Sequence, residues 1–265
     1  IRTANMAPEA DRDRMLLVPR AAAISKNEQG MYNSNLSPKT VKECFYTLKT
    51  PELVAVGTNP DNLNYLLGDI YAKLPGGTDQ YKSMVMCTDA NFWKMFHFRF
   101  IDGNGYPEED FQSGMRKVVL TETMARKIFG KTTVAGMPVL VNEVEYRVSG
   151  VVKDVSSVMS LVYADIWIPY TTLSSVTESS NAENIVGALQ VYILARKAAD
   201  FPIIRKEMEQ KRLLYNVSLK EYQYEFRDGI PYTQKESVLR NMDYREEPKV
   251  LIWKYSLIGL IFLLV

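Results

Sequence analysis

Lys117-Val118-Val119-Leu120-Thr121-Glu122-Thr123-Met124-Ala125-Arg126-Lys127-Ile128-Phe129-Gly130 spells a strand, a cap, a helix and a stop in one uninterrupted run. The aliphatic residues of 117–120 predict a buried strand. The Thr121 hydroxyl can accept from the exposed amides of a first helical turn. Met124, Ala125, Ile128 and Phe129 then share one face of a helix, and Gly130 supplies the left-handed residue on which helices stop. Downstream, 139–141 and 144–152 flank Asn142-Glu143 as a β-hairpin. Its second strand alternates Val144, Tyr146 and Val148 with Glu145, Arg147 and Ser149. Residues 164–170 give one more strand, ended by Pro169-Tyr170. Upstream, Asp89 caps a short helix carrying Phe92, Trp93 and Phe96, and 98–101 returns extended to Asp102-Gly103. Segregated hairpins and lone helices of this sort predict an α+β fold.

Farther out, the two flanks resemble each other. Residues 14–18 read as a strand and the polar run through Asn35 as loop. Ser37-Pro38 then opens a helix to about residue 48 with a capping serine and proline at its first position. Pro51 ends the connection to a strand at 53–57, completing a β-α-β unit. A further strand at 81–88 follows the turn Pro75-Gly76-Gly77. Late in the chain, 189–195 is a strand, Asp200 caps a helix to about 215, and 217–226 is a strand. Within that last strand Val217 and Leu219 share one face while Tyr222, Tyr224 and Phe226 share the other, which predicts a bulged residue near Lys220.

The 265 residues give room for one large domain or two small ones. A formal charge of +1 arises from 32 basic and 31 acidic residues without a basic block, which argues against a nucleic-acid partner. The chain starts at Ile1 with no signal-peptide pattern, so it is expected to begin within a longer protein. Residues 250–265 become almost wholly apolar, and a spanning helix needs about 20 such residues, so this stretch reads as the first half of a transmembrane helix. Trp253, Lys254 and Tyr255 stand where it would cross the membrane interface.

The chemistry-bearing motifs are sparse. Residues 125–132 match the phosphate loop G-x-x-x-x-G-K-[ST] except at its first position. The order is inverted, however: a helix precedes Gly130, whereas phosphate binding needs a strand before the loop and a helix after it. His97, the single histidine, lies among Phe96, Phe98 and Phe100 and reads as a satisfied side chain rather than a base. Glu108-Glu109-Asp110 reads as a solvated turn after Tyr106-Pro107, without the alternating oxygen ligands of a calcium loop. Cys44 falls on the apolar stripe of Val41, Phe45 and Leu48 and reads as a buried hydrophobe. The two cysteines lack metal-ligand spacing, and the sequon Asn216-Val217-Ser218 is too short to weigh. No catalytic, cofactor-binding or metal-ligating residue is assigned.

The run from Lys117 to Gly130, followed by Gly136, Tyr146-Arg147-Val148-Ser149-Gly150-Val151-Val152-Lys153-Asp154 and Ala164-Asp165-Ile166-Trp167-Ile168-Pro169, resembles the periplasmic core domain of MacB-like, FtsX-related ABC transporter permeases. Asp89-Ala90-Asn91-Phe92-Trp93-Lys94-Met95-Phe96 and the turn Asp102-Gly103 resemble the same family. The resemblance is clearest over residues 82–170. It implies a domain on the periplasmic side of the inner membrane, between the first two membrane helices. The implied architecture is a porter-like lobe of two β-α-β halves (1–88 and 187–245) with an inserted, mainly β lobe (89–186), leading to the membrane segment at 250–265. It also implies an ATP-binding subunit or domain elsewhere, a homo- or heterodimer, and a periplasmic adaptor or lipoprotein as partner, with no enzymatic role. In that reading Ile1 and Lys249 emerge on the same face. A ligand-sensing ectodomain of a membrane receptor is the competing reading, and would contain one deep pocket with convergent polar groups.

Overall fold

Apolar runs that alternate between two opposite cores set the architecture. The computed structural model describes residues 5–178, 182–226, 231–233, 236 and 253. The first strand, β1 (Met15–Val18), is buried at every position. Leu16 and Val18 face an aliphatic core, while Met15 and Leu17 face an aromatic one. The same alternation recurs in β14 (Leu189–Leu194), where Val191 and Ile193 oppose Tyr192 and Leu194, and in β12 (Ile166–Pro169), where Ile166 and Ile168 oppose Trp167. Side chains of period two on a sheet covered on both faces read as continuous hydrophobic runs.

In chain order β1 is followed by β2 (Ala21–Ser25), β3 (Met31–Leu36), α1 (Pro38–Cys44), β4 (Leu53–Thr58), α2 (Pro60–Leu67), β5 (Tyr71–Lys73), β6 (Tyr81–Lys82), β7 (Val85–Thr88) and α3 (Asn91–Met95). Next come β8 (Phe100–Gly103), α4 (Glu108–Gln112), β9 (Lys117–Thr121), α5 (Glu122–Phe129), β10 (Pro138–Val141), β11 (Val144–Val152), β12 and α6 (Ser174–Thr177). The chain closes with β13 (Val186–Gly187), β14, α7 (Phe201–Ser218), β15 (Tyr222–Phe226) and β16 (Tyr232–Thr233). Among the described residues these strands form one large mixed sheet, with parallel pairing of β9 to β11 and of β7 to β12 and antiparallel pairing elsewhere. The fold is therefore α+β.

At one end of this sheet β1 lies between β14 and β16, and β14 pairs with β4 on its other edge. The order β16-β1-β14-β4 inserts β14, the first strand of the last β-α-β unit, between β1 and β4, the two strands of the first, while β15 pairs with β2; α1 packs on α7. The pairing Leu16 to Thr233 and Leu17 to Tyr232 places the start of β1 beside the end of β16. At the other end β7, β12, β9, β11, β10, β5 and β6 follow one another. The two ends meet along β4 and β7 through the single register pair Gly57 to Thr88.

The local signals of the central region form as read. Thr121 Oγ1 accepts from Met124 N at 3.2 Å, and Gly130 ends α5 with φ of +70°. Asn142 and Glu143 both take positive φ, as a two-residue hairpin turn requires. Ser37 Oγ accepts from Thr40 N at 3.0 Å to cap α1.

Other expectations are corrected. The run from 19 to 35 is a hairpin, because β2 is paired on both edges, to β3 and to β15, and this tertiary pairing outweighs alanine's poor strand preference. The strand at 81–88 is broken at Ser83 and Met84, whose amides turn aside to Ile70 O and Asp165 Oδ2, both at 2.8 Å. Helix α1 ends at Cys44, since Phe45 and Tyr46 both donate to Val41 O. The chain around Lys220 forms no bulge: Val217 and Ser218 are the last turn of α7. Asn216 holds that turn against β15, donating to Tyr224 O at 3.0 Å and accepting from Tyr224 N at 2.6 Å. Asp200 makes no side-chain cap. The acidic run 108–110 opens α4, buried through Phe111, where negative charge favours a helix start.

Candidate functional site

Where β7 runs into α3, the chain crosses from one part of the sheet to a cleft. Cys87 N donates to Thr58 Oγ1 at 2.9 Å and Asp89 N to Val56 O at 3.1 Å, and these bonds reinforce the Gly57 to Thr88 pair. Asp89 is 2% exposed. Its Oδ1 accepts from Phe92 N at 2.9 Å, the cap expected of it, and its Oδ2 accepts from the Tyr46 hydroxyl at 2.9 Å. Burial pushes this carboxyl up to about 7, with the nearby Glu108 charge acting in the same direction.

The cleft itself has a volume of about 630 Å³. Lys42 and Tyr46 line it from α1 and the turn after it, Lys94 from α3, Glu108 and Phe111 from α4, and Tyr170 from a 3-10 turn at Tyr170–Thr172. Phe111 and Tyr170 meet edge to face with centroids 4.9 Å apart. Burial pushes the Tyr170 phenol up to about 12. A second concavity of about 510 Å³ lies between α2, β3 and β13, and Arg20, Asn33, Ser34 and Asn62 line it.

The sequence-singled residues are scattered. His97 is 56% exposed, with Nε2 2.8 Å from Asp11 Oδ2, so its partner is a carboxylate from the N-terminal segment. Cys44 and Cys87 are free and buried, and desolvation pushes both thiols up to about 12. Lys131 follows the C-terminus of α5, where carbonyls rather than amides face outward, so the phosphate-loop resemblance has no structural counterpart. The sequon asparagine is engaged by Tyr224 through both ends of its amide. Among the described residues no group of three His, Cys, Asp or Glu side chains converges to hold a metal. Trp253 is helical and 76% exposed, while Lys254, Tyr255 and the rest of the apolar run 250–265 lie outside the described residues, as do Ile1 and Lys249. Among the described residues no helix is long and apolar enough to cross a membrane.

Sequence reasoning finds Asp89 as a cap but misses the cleft around it. Tyr46, Glu108 and Tyr170 come from three distant segments, and no spacing in the chain announces their meeting.

Three comparisons place the domain. The MacB-like periplasmic core domain family matches residues 7–211. An uncharacterized ABC transporter permease of Bacillus subtilis, YknZ, is 28% identical over 89 residues, which cover 34% of this chain and 22% of that protein, so the match spans about a fifth of the relative's length. The extracellular domain of the noncanonic ABC-type transporter YknZ from Gram-positive bacteria has the same fold, with a TM-score of 0.54 at 16% identity over 81% of this chain and 98% of that one. The periplasmic region of MacB from Actinobacillus actinomycetemcomitans superposes with a TM-score of 0.52 at 16% identity, covering 78% of this chain and 88% of that one. With its central strand–helix–hairpin motif, its mixed sheet and a family match over most of its length, the chain belongs to the MacB-like periplasmic core domains, the extracytoplasmic domains of ABC transporter permeases.

Proposed function

We propose that this domain converts ATP-driven movement of its flanking membrane helices into a change of shape outside the membrane, so that a substrate or a partner protein is gripped or released. The role is mechanical and non-catalytic. The observation that supports it is the pairing of β1 with β16, which sets the first strand of the domain beside the last of the described strands. Two packed membrane helices stand about 10 Å apart, and neighbouring antiparallel strands are the simplest base for such a pair. The end of β16 is also tied down. Thr233 Oγ1 accepts from Glu236 N at 3.2 Å while Glu236 Oε2 accepts from Thr233 N at 2.6 Å, the reciprocal cap with which helices open. The Arg205 guanidinium lies 3.5 Å from the same Glu236 carboxylate.

The moving parts in this reading are a porter-like lobe (1–88 with 187–245) and the inserted lobe (89–186). Strand pairing supports one adjustment: β5 and β7 hydrogen-bond to β10 and β12, so the run from 71 to 88 sides with the inserted lobe. The β4–β7 junction, joined by one register pair with both cores running across it, is the hinge in this reading. An ATP-binding subunit, a second permease copy and a periplasmic adaptor or lipoprotein are the partners this reading requires, with Trp253, Lys254 and Tyr255 at the inner-membrane interface. The test is a flexible Gly-Ser insertion between residues 236 and 250 of the full-length permease. Export should fall while ATP hydrolysis persists. Unchanged export with the slack linker would overturn the mechanical reading.

A further inference from the structure

The cleft at the β7–α3 junction has the chemistry of a ligand site. Its volume of about 630 Å³ falls in the range of small-molecule pockets, roughly 300–1,000 Å³. The rings of Tyr46, Phe111 and Tyr170 share its wall with polar and charged side chains, and its buried ionisable group is the Asp89 carboxyl. Asp89 is held by Phe92 N and the Tyr46 hydroxyl, both at 2.9 Å. A carboxylate has about four lone-pair positions, so those two bonds do not exhaust it. No basic side chain pairs with Asp89 among the described residues, and burial raises its affinity for a proton.

We propose that this cleft binds a small organic ammonium ion, with the Asp89 carboxylate as its counter-charge and the Tyr46, Phe111 and Tyr170 rings as its wall. A cation beside aromatic rings is attracted to their faces, and a charged hydrogen bond to a carboxylate is among the stronger contacts available. The competing electrostatics come from every side of the cleft: Lys42 on α1, Lys94 on α3 and Glu108 on α4, together with the phenols of Tyr46 and Tyr170. Both lysines are exposed, and Lys94 Nζ donates to Asn91 Oδ1 at 3.1 Å. Their ammonium groups sit on flexible stems in water, so they can swing aside. Asp89 cannot, because it is pinned from two sides and buried. Above about pH 7, where Asp89 is ionised, the fixed charge of the site is therefore negative.

The experiment titrates the 265-residue chain with 2-phenylethylammonium, with neutral 2-phenylethanol and with anionic phenylacetate, following binding by calorimetry. The ammonium should bind at least about tenfold more tightly than the alcohol, the scale of a hydrogen bond to a charged group, and phenylacetate should bind more weakly still. Its affinity should rise from pH 6 to pH 8 as Asp89 gives up its proton. Asp89→Asn keeps an oxygen for Phe92 N and should lose at least about tenfold in ammonium affinity, while Lys42→Ala with Lys94→Ala should bind it as tightly or more so. The proposal is overturned if phenylacetate binds best, if Asp89→Asn binds the ammonium as well as the parent does, or if the parent binds none of it at millimolar concentration.

Discussion

Replacing Asp89 with asparagine should stabilise the domain at alkaline pH and do so progressively less on acidification. The carboxyl titrates near 7 in the fold against an ordinary 3.8, because burial disfavours its charged form. A group with a raised folded pKa contributes its full stability below the unfolded pKa, near pH 4, and loses it as pH rises through the folded pKa, near 7. Linkage at about 1.4 kcal/mol per pH unit puts that loss at about 1.5 kcal/mol by pH 5 and about 4 kcal/mol by pH 8. The substituted amide does not titrate. Its carbonyl can keep the Phe92 amide while its NH2 donates to the Tyr46 oxygen, so the local hydrogen bonds survive. The stability of Asp89→Asn relative to the parent should therefore grow by about 2.5 kcal/mol between pH 5 and pH 8. In melting temperature that is a relative gain of roughly 5–10 °C for a domain of this size. Thermal or urea denaturation of both proteins at pH 5, 6.5 and 8 measures it, and groups common to both cancel in the difference. A gap that is constant across this range, or a variant that is less stable at pH 8, would refute a neutral-range titration for Asp89.

Gly105→Ala should destabilise by about 1–3 kcal/mol, the usual cost of overpacking, because its added Cβ would stand 2.3 Å from Trp93 Cγ. Gly30→Ala, whose nearest neighbour is Ser25 Cβ at 4.0 Å, is the matched control and should change the melting temperature little. Thr121→Ala should cost about 1 kcal/mol in urea denaturation through loss of the α5 cap. Cys44 and Cys87, both buried with thiols pushed up to about 12, should resist a thiol reagent at pH 8 until denaturant is added. Fluorescent ATP should bind neither the parent chain nor Lys131→Ala, since α5 ends rather than begins at Gly130.

The readable parts of this chain are those whose determinants lie within one turn or one hairpin. Thr121 and Gly130 bracket α5, Asn142-Glu143 closes the β10–β11 hairpin and Ser37-Pro38 opens α1 because each signal acts on its own neighbours. Asn59-Pro60 is the same cap-and-proline signal and opens α2, with Asn59 Oδ1 accepting from Asp61 N at 2.9 Å. It is equally legible, in a stretch to which the sequence reading assigns no element. Long-range partners decide what is missed. Ala21–Ser25 becomes strand because β3 and β15 flank it, and the last turn of α7 is fixed by an asparagine that reaches a strand eight residues on.

The same distinction separates the two functional readings. The mechanical reading grows from β1 and β16, whose pairing joins residues more than 200 positions apart, so no local pattern announces it, and the family resemblance is the means by which the sequence supplies it. The cleft has even less signature. Its carboxylate is legible only as a helix cap, and it acquires a chemical identity when Tyr46 and Tyr170 arrive from either side in sequence. Asp89 thus sits at the meeting point of both arguments, one residue beyond the β4–β7 bridge and at the floor of the cleft. A ligand that changes its charge would act beside the proposed hinge. If the hinge opens at this junction, the Tyr46–Asp89 bond, which joins the turn after α1 to the start of α3, must stretch or break as it does so. Tyr46→Phe should then ease opening, which hydrogen exchange at the β7 amides would detect as faster exchange at Cys87 and Asp89 with the rest of the sheet unchanged. Equal exchange in the two proteins would place the hinge elsewhere.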